Sequence, residues 1–346
     1  MTTMKNVVVI FFLFSSFMIF GQEKNINEEN VYQTKTYNVV KFVTKIDKAV
    51  SVNGNTVEAI DLHGTLITPK IEFDKILIII SGTGDISQEA HKFLTEYLLK
   101  NNIGVFRFDK RGVGKSTGIN REDFILNIND FIQIYTELQK SDIALNKKIG
   151  FLGHSLGGIA AIQAIGKNIK PDFLIQWAVP IGKPRDVIQY QIRNGITNYD
   201  NLIIGKTLKD RINSLDYIHN LIDENLNKTA WEIWKIARRD SKIHGISKKS
   251  FRNYIMPSTV EFAKINDIKI YKEIDFPLLV IIGKEDILVD PISNRKTLEK
   301  LANKNIEFKS FSGLNHFLEE NNSLLTVDWN INKDAKEYIV NWILKN

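Results

Sequence analysis

The sequence predicts an α/β fold: a doubly wound, mostly parallel sheet with a helical lid inserted late in the chain. Three observations carry that expectation. Short apolar runs recur along the chain, helix-period segments separate them, and the interval from 182 to 272 breaks the alternation with helical periodicity alone.

From the N-terminus, Lys5 precedes an apolar run, Val7 to Phe20, followed by Gly21 and a polar stretch. A cation, an apolar segment too short for a membrane span and a small residue at its end have the architecture of a signal peptide over residues 1–21. The expected location is therefore secreted or periplasmic, with no stable membrane insertion once the segment is removed. The chain has no Cys, which excludes lipid attachment at a cleavage-site Cys, disulfides, thiolate metal sites and thiol catalysis. Any nucleophile is then a hydroxyl or a carboxylate.

Next, Thr36–Val43 and Val57–Ile67 are β-branched and alternating, with Asn53-Gly54-Asn55 as turn chemistry between them, and read as an antiparallel hairpin. The apolar runs Lys75–Ile80, Ile103–Phe108, Lys148–Leu152, Phe173–Ala178, Leu278–Ile282 and Ile306–Phe311 suit strands buried on both faces of a parallel sheet. Helical periodicity marks Gln88–Lys100, Asp123–Gln139, Leu156–Ile165, Ser293–Leu301 and Lys333–Leu344. The expected domain plan is a core made of 22–181 and 273–346, with 182–272 as the lid.

The formal charge of +6, from 46 Lys and Arg against 40 Asp and Glu, is scattered rather than gathered in a stripe. That pattern fits a solvated surface and not the basic, aromatic-interleaved face of a nucleic-acid binder. Gly112-Val113-Gly114-Lys115-Ser116 superficially resembles a phosphate loop, but the required first glycine falls on Asp109. No two histidines stand at i, i+4 and no H-E-x-x-H occurs, so no metal is expected.

The chemistry-bearing motif is Gly153-His154-Ser155-Leu156-Gly157, placed where a strand-like run meets a small-residue helix. A serine on so sharp a corner needs glycine two residues to either side, because a Cβ there collides with neighbouring backbone. The helix N-terminus adds N–H groups and the positive end of a dipole beside a developing oxyanion. Two further segments, Ile78-Ile79-Ile80-Ser81-Gly82-Thr83-Gly84 and Arg107-Phe108-Asp109-Lys110-Arg111-Gly112-Val113-Gly114-Lys115-Ser116, follow in order. Together these three motifs resemble the α/β-hydrolases, and within them the bacterial serine esterases and acyl hydrolases with a helical cap. The similarity covers most of residues 55–345.

The resemblance implies Ser155 as nucleophile and an oxyanion hole formed by the N–H of Leu156 with one N–H from Ser81–Gly84. Thr83 is the choice there, with Gly82 and Gly84 as alternatives, since many relatives carry His-Gly where this chain has Ser81-Gly82. The family's chain order of nucleophile, acid, histidine implies His316, the one histidine beyond Leu278–Ile282. Asp286 matches the acid position, with Asp290, which stands before Pro291 as a helix N-cap, in reserve and Glu285 read as solvated. His154 is read as packed, and Asp109 and Arg111 as shaping their loop.

The implied reaction is hydrolysis of carboxylic esters of small or medium acyl groups, with a small-molecule substrate and no cofactor. A peptidase or amidase of the same fold is the alternative, and a binding protein with a retired site is the third reading. Tyr190, Tyr199, Trp231, Trp234, Tyr254 and Phe262 in the insertion are expected mainly to pack its own core, and Trp177 to approach the pocket.

Overall fold

The computed structural model describes residues 36–47, 49–50, 56–120, 124–196, 207–240, 257–320 and 327–346. The expected signal segment and the turn Asn53-Gly54-Asn55 lie outside these, as do Tyr199, Tyr254 and the side chain of Trp234.

The strands are β1 Tyr37–Ile46, β2 Ala49–Val50, β3 Thr56–Val57, β4 Ile60–Pro69, β5 Lys75–Ile80, β6 Ile103–Phe108, β7 Lys148–His154, β8 Phe173–Trp177, β9 Leu278–Gly283 and β10 Ile306–Phe311. Eight of them form one sheet in the order β1-β4-β6-β5-β7-β8-β9-β10. The predicted hairpin is β1 against β4, antiparallel from Tyr37↔Pro69 to Ile46↔Ile60, and it is extended by the short pair β2–β3. β4 is antiparallel to β6, and every pairing beyond β6 is parallel.

The helices are α1 Lys92–Lys100, α2 Phe124–Gln139, α3 Leu156–Gly166, α4 Pro184–Arg193, α5 Leu208–Asp223, α6 Ala230–Asp240, α7 Pro257–Ala263, α8 Ile268–Glu273, α9 Pro291–Leu301 and α10 Lys333–Lys345. β5 shows why the runs are continuous rather than alternating. Ile76, Ile78 and Ile80 pack under α2 and α3, while Leu77 and Ile79 face α1 and α10, so both faces of the strand are buried. Each such side chain contributes roughly 1.5–3 kcal/mol by leaving water.

Between β8 and β9 the described chain is helical, α4 to α8. Ile188, Ile192, Leu215, Ile218, Ile222, Ile233 and Val260 form a separate small core there. α5 starts on a capping box, in which the Thr207 side chain accepts from the Asp210 N–H and Asp210 accepts in return from the Thr207 N–H. The insertion is joined to the sheet domain by Phe262 against Phe124, with ring centroids 5.8 Å apart. A hydrogen bond from Gln163 on α3 to Asp267 at the head of α8 makes a second join. Among the described residues no helix is long and apolar enough to cross a membrane.

Candidate active site

β7 delivers Ser155 and α3 leaves from it. The residue has φ 51° and ψ −122°, a backbone conformation that a non-glycine residue holds only when its surroundings impose it. Those surroundings are glycines in contact with backbone. A Cβ on Gly153 would stand 2.3 Å from Gly158 Cα, and one on Gly157 would stand 2.2 Å from the Ile80 carbonyl oxygen. The Ser155 N–H donates to the Trp177 carbonyl at 2.9 Å, and the Gly158 N–H donates to Ser155's own carbonyl at 3.0 Å. Leu156 is the first residue of α3, so its N–H has no acceptor within the helix.

The segment after β5 runs beside the serine. A Cβ on Gly82 would meet Ser155 Cβ at 3.2 Å. Thr83, next in the chain, is 3% exposed, and its Oγ1 makes no hydrogen bond within the protein. The Asp109 carboxylate fastens this segment at its far end by accepting from the Gln88 N–H at 2.8 Å and the Gln88 side-chain amide at 2.9 Å; it also accepts from the Lys115 N–H at 3.0 Å. Arg111 pairs with Asp130 on α2 through Nε at 2.7 Å and Nη2 at 2.5 Å, both groups buried. Both residues therefore act on the shape of the loop.

The acid and the histidine sit on the loops after β9 and β10. Asp286 Oδ1 accepts the N–H groups of Leu288 and Val289 at 2.8 and 2.9 Å, and Oδ2 lies 2.8 Å from His316 Nδ1. Asp290 instead caps α9, accepting from the N–H groups of Ile292 and Ser293, with Pro291 at the first helical position. Glu285 is exposed yet bonded, accepting the Gly313 N–H at 2.8 Å, so it ties the acid loop to the histidine loop rather than being simply solvated. Gly283 lets those loops close up, since a Cβ there would meet the Leu314 carbonyl oxygen at 2.0 Å. Asn315 holds the turn around His316 by accepting the N–H groups of Phe317 and Glu319.

His154 is buried. Its centroid is 4.4 Å from Trp177, 5.0 Å from His316 and 5.5 Å from Phe317. Burial holds its imidazole well below the usual histidine range. His91 lies in the same cluster, 4.7 Å from Trp329 and 5.9 Å from Trp177, and burial lowers its imidazole to about 3. His91, His154, Trp177, Phe317 and Trp329 thus form a buried aromatic bed, which His316 meets through His154 and Phe317.

Trp177 departs from the expectation that it approaches the pocket: it is wholly buried in that bed, its ring against His154, His91 and Trp329. The insertion's aromatics also differ from a simple lid core. Trp231 is exposed, Phe262 packs on Phe124, and the Tyr190 hydroxyl donates to the Asp286 carbonyl at 2.8 Å. Gln191 and the C-cap residue Asn194 likewise donate to the carbonyls of Leu288 and Ile287, at 3.0 and 3.1 Å, so α4 and its C-terminal cap brace the acid loop. Sequence periodicity placed these residues on a helix and carried no signal of their partners, nearly a hundred residues on.

Ser155, Asp286 and His316 thus stand at the C-terminal ends of β7, β9 and β10 in a sheet whose β8 lies between them. Sites of parallel α/β sheets form at such ends. No curated protein matches this sequence. Among solved structures, the Pyrococcus furiosus esterase Pf2001 is similar, at 18% identity and a TM-score of 0.55, covering 95% of both chains. The peroxisomal alpha-beta-hydrolase Lpx1 of Saccharomyces cerevisiae is 15% identical with a TM-score of 0.53, over 89% of this chain and 91% of its own. Est1E of Butyrivibrio proteoclasticus, solved with ferulic acid bound, is 18% identical with a TM-score of 0.51, over 86% and 97%. At these identities the likeness is one of fold. The profile of the family described as serine aminopeptidase, S33, matches residues 71–322, well over half of the chain, and the protein belongs to that family of α/β-fold hydrolases.

Proposed function

We propose that this protein hydrolyses carboxylic esters of small or medium acyl groups through an acyl-enzyme on Ser155. The observation that carries the reading is the 2.8 Å contact between Asp286 Oδ2 and His316 Nδ1 on loops flanking a serine held at φ 51°. With Nδ1 engaged by the carboxylate, Nε2 is the nitrogen left to act as base.

In this reading His316 takes the Ser155 hydroxyl proton as Oγ attacks the acyl carbon. The N–H groups of Leu156 and Thr83 stabilise the resulting oxyanion. Collapse breaks the bond to the leaving oxygen, which departs as an alcohol with the proton from His316. Water then gives a proton to His316 and attacks the acyl carbon, releasing the acid and restoring Ser155. Asp286 holds the imidazole tautomer and stabilises the imidazolium without taking the proton. The ester preference is supported by the esterase relatives in fold, whereas the family's aminopeptidase description supports amide cleavage as the second reading. Residues 1–21 serve as an export signal in the same proposal, with the mature protein secreted or periplasmic.

The test is expression of the full chain, wild type and Ser155→Ala, with release of p-nitrophenol followed from acetate, butyrate and octanoate esters beside a peptide p-nitroanilide. Ester turnover in the wild type that vanishes in the variant is the expected result. Turnover of the anilide alone moves the reading to the amidase, and equal activity of the two proteins removes Ser155 as nucleophile. The mass of the exported product is expected to begin near residue 22, and an intact N-terminus removes the export proposal.

A further inference from the structure

We infer that Lys110 is a positioning residue for the oxyanion site: its ammonium holds the Gly82–Thr83 peptide so that the Thr83 N–H faces the reacting carbonyl. The inference rests on the acyl-enzyme reading above. Lys110 lies between two charged residues, Asp109 and Arg111, and all three are buried. Its Nζ donates to the Gly82 carbonyl at 2.8 Å. An ammonium taken from water is retained as a charge only where it is hydrogen-bonded, because its desolvation is otherwise uncompensated. Here it is spent on a peptide that touches the serine, since a Cβ on Gly82 would stand 3.2 Å from Ser155 Cβ.

The direction follows from covalent geometry. In a trans peptide the C=O and the following N–H point opposite ways, and the described chain contains no cis bond. Pulling the Gly82 carbonyl toward Lys110 therefore turns the Thr83 N–H away from it. Glycine at 82 leaves this peptide free to rotate, so an external anchor has something to decide. A cation on the carbonyl also polarises the peptide, which strengthens its N–H as a donor. Asp109 meanwhile holds Gln88, so neighbouring residues of one motif fasten the segment at both ends.

Lys110→Met and Lys110→Gln in the full chain, beside wild type and Ser155→Ala, test this. The readouts are kcat and KM on p-nitrophenyl butyrate and the inhibition constant of butaneboronic acid, which forms a tetrahedral anion on a serine and so needs the oxyanion donors. Lys110→Met is expected to lower kcat by about 10- to 100-fold, below the cost of deleting a donor outright, to leave KM within about twofold, and to weaken the boronate in step with kcat. Lys110→Gln, which keeps an N–H donor, is expected to recover most of both. A Lys110→Met protein with wild-type kcat overturns the inference, as does lost activity with unchanged boronate affinity, which assigns Lys110 a merely structural role. Should Lys110→Met not fold, Lys110→Ala, which also removes the donor, is read by the same two readouts with the same outcomes, and failure of both to fold makes Lys110 a scaffold residue. If Ser155→Ala retains turnover, it is the acyl-enzyme reading that has failed.

Discussion

At the scale of single residues, the chemistry depends on which atoms are already engaged. Asp286 Oδ1 is taken by two backbone N–H groups, which leaves Oδ2 for His316. This asymmetry makes Asp286→Asn informative. The two N–H groups need an oxygen, so the amide turns its NH₂ toward His316 Nδ1. That nitrogen must then accept, which puts the ring proton on Nε2, where it cannot take one from Ser155. Turnover of p-nitrophenyl butyrate is expected to fall by about 10⁴-fold with little change in KM; a loss under tenfold would contradict the role given to Asp286.

At the scale of elements, the junctions are close-packed backbone, and the glycines mark where. The β7–α3 corner sits so near the end of β5 that Gly157 has no room for a methyl group, its nearest neighbour being a carbonyl oxygen that cannot swing aside. Gly157→Ala is expected to cost about 1–3 kcal/mol by overpacking and to lower turnover more than tenfold by displacing Ser155 and the Leu156 N–H. Urea midpoints and kcat check it, and wild-type values for both would mean that the corner yields more easily than its contacts imply. α4 shows a second kind of junction: two of its side chains and that of its C-cap Asn194 donate to the carbonyls of residues 286–288, so the insertion supports the acid loop.

At the scale of the whole molecule, stability is linked to pH through buried titrating groups. His91, His154 and His219 are all pushed down by burial, to about 3 for His91 and about 4 for His219. Their folded values lie below the unfolded 6.5, so below that pH the unfolded chain binds protons that the folded one refuses, and stability falls. Asp267 acts oppositely, because burial raises its carboxyl to about 7, and Glu319 is raised in the same sense. Three lowered imidazoles outnumber the two raised carboxyls, so the net effect is a loss of stability as the pH falls through the unfolded histidine range. Thermal unfolding at pH 5.0 is expected well below that at pH 7.5; an equal or higher midpoint in acid would show that the imidazoles are not held neutral.

Much of this was legible in the sequence because it is local. Strand and helix periods, the Asp290-Pro291 cap and the glycines around Ser155 are properties of short segments, and apolar runs without alternation announce a sheet covered on both sides. The fold class followed from those alone, and the motif order pointed to Ser155, Asp286 and His316. Contacts between distant segments were not legible. That Trp177 turns into a bed with His91 and His154, that Glu285 reaches Gly313, that Tyr190 supports Asp286 and that Lys110 holds Gly82 are decided by which faces meet when the elements pack. Amino-acid pattern determines which face of an element is apolar; only the packed tertiary structure determines what that face, and each polar group along its rim, comes to lie against.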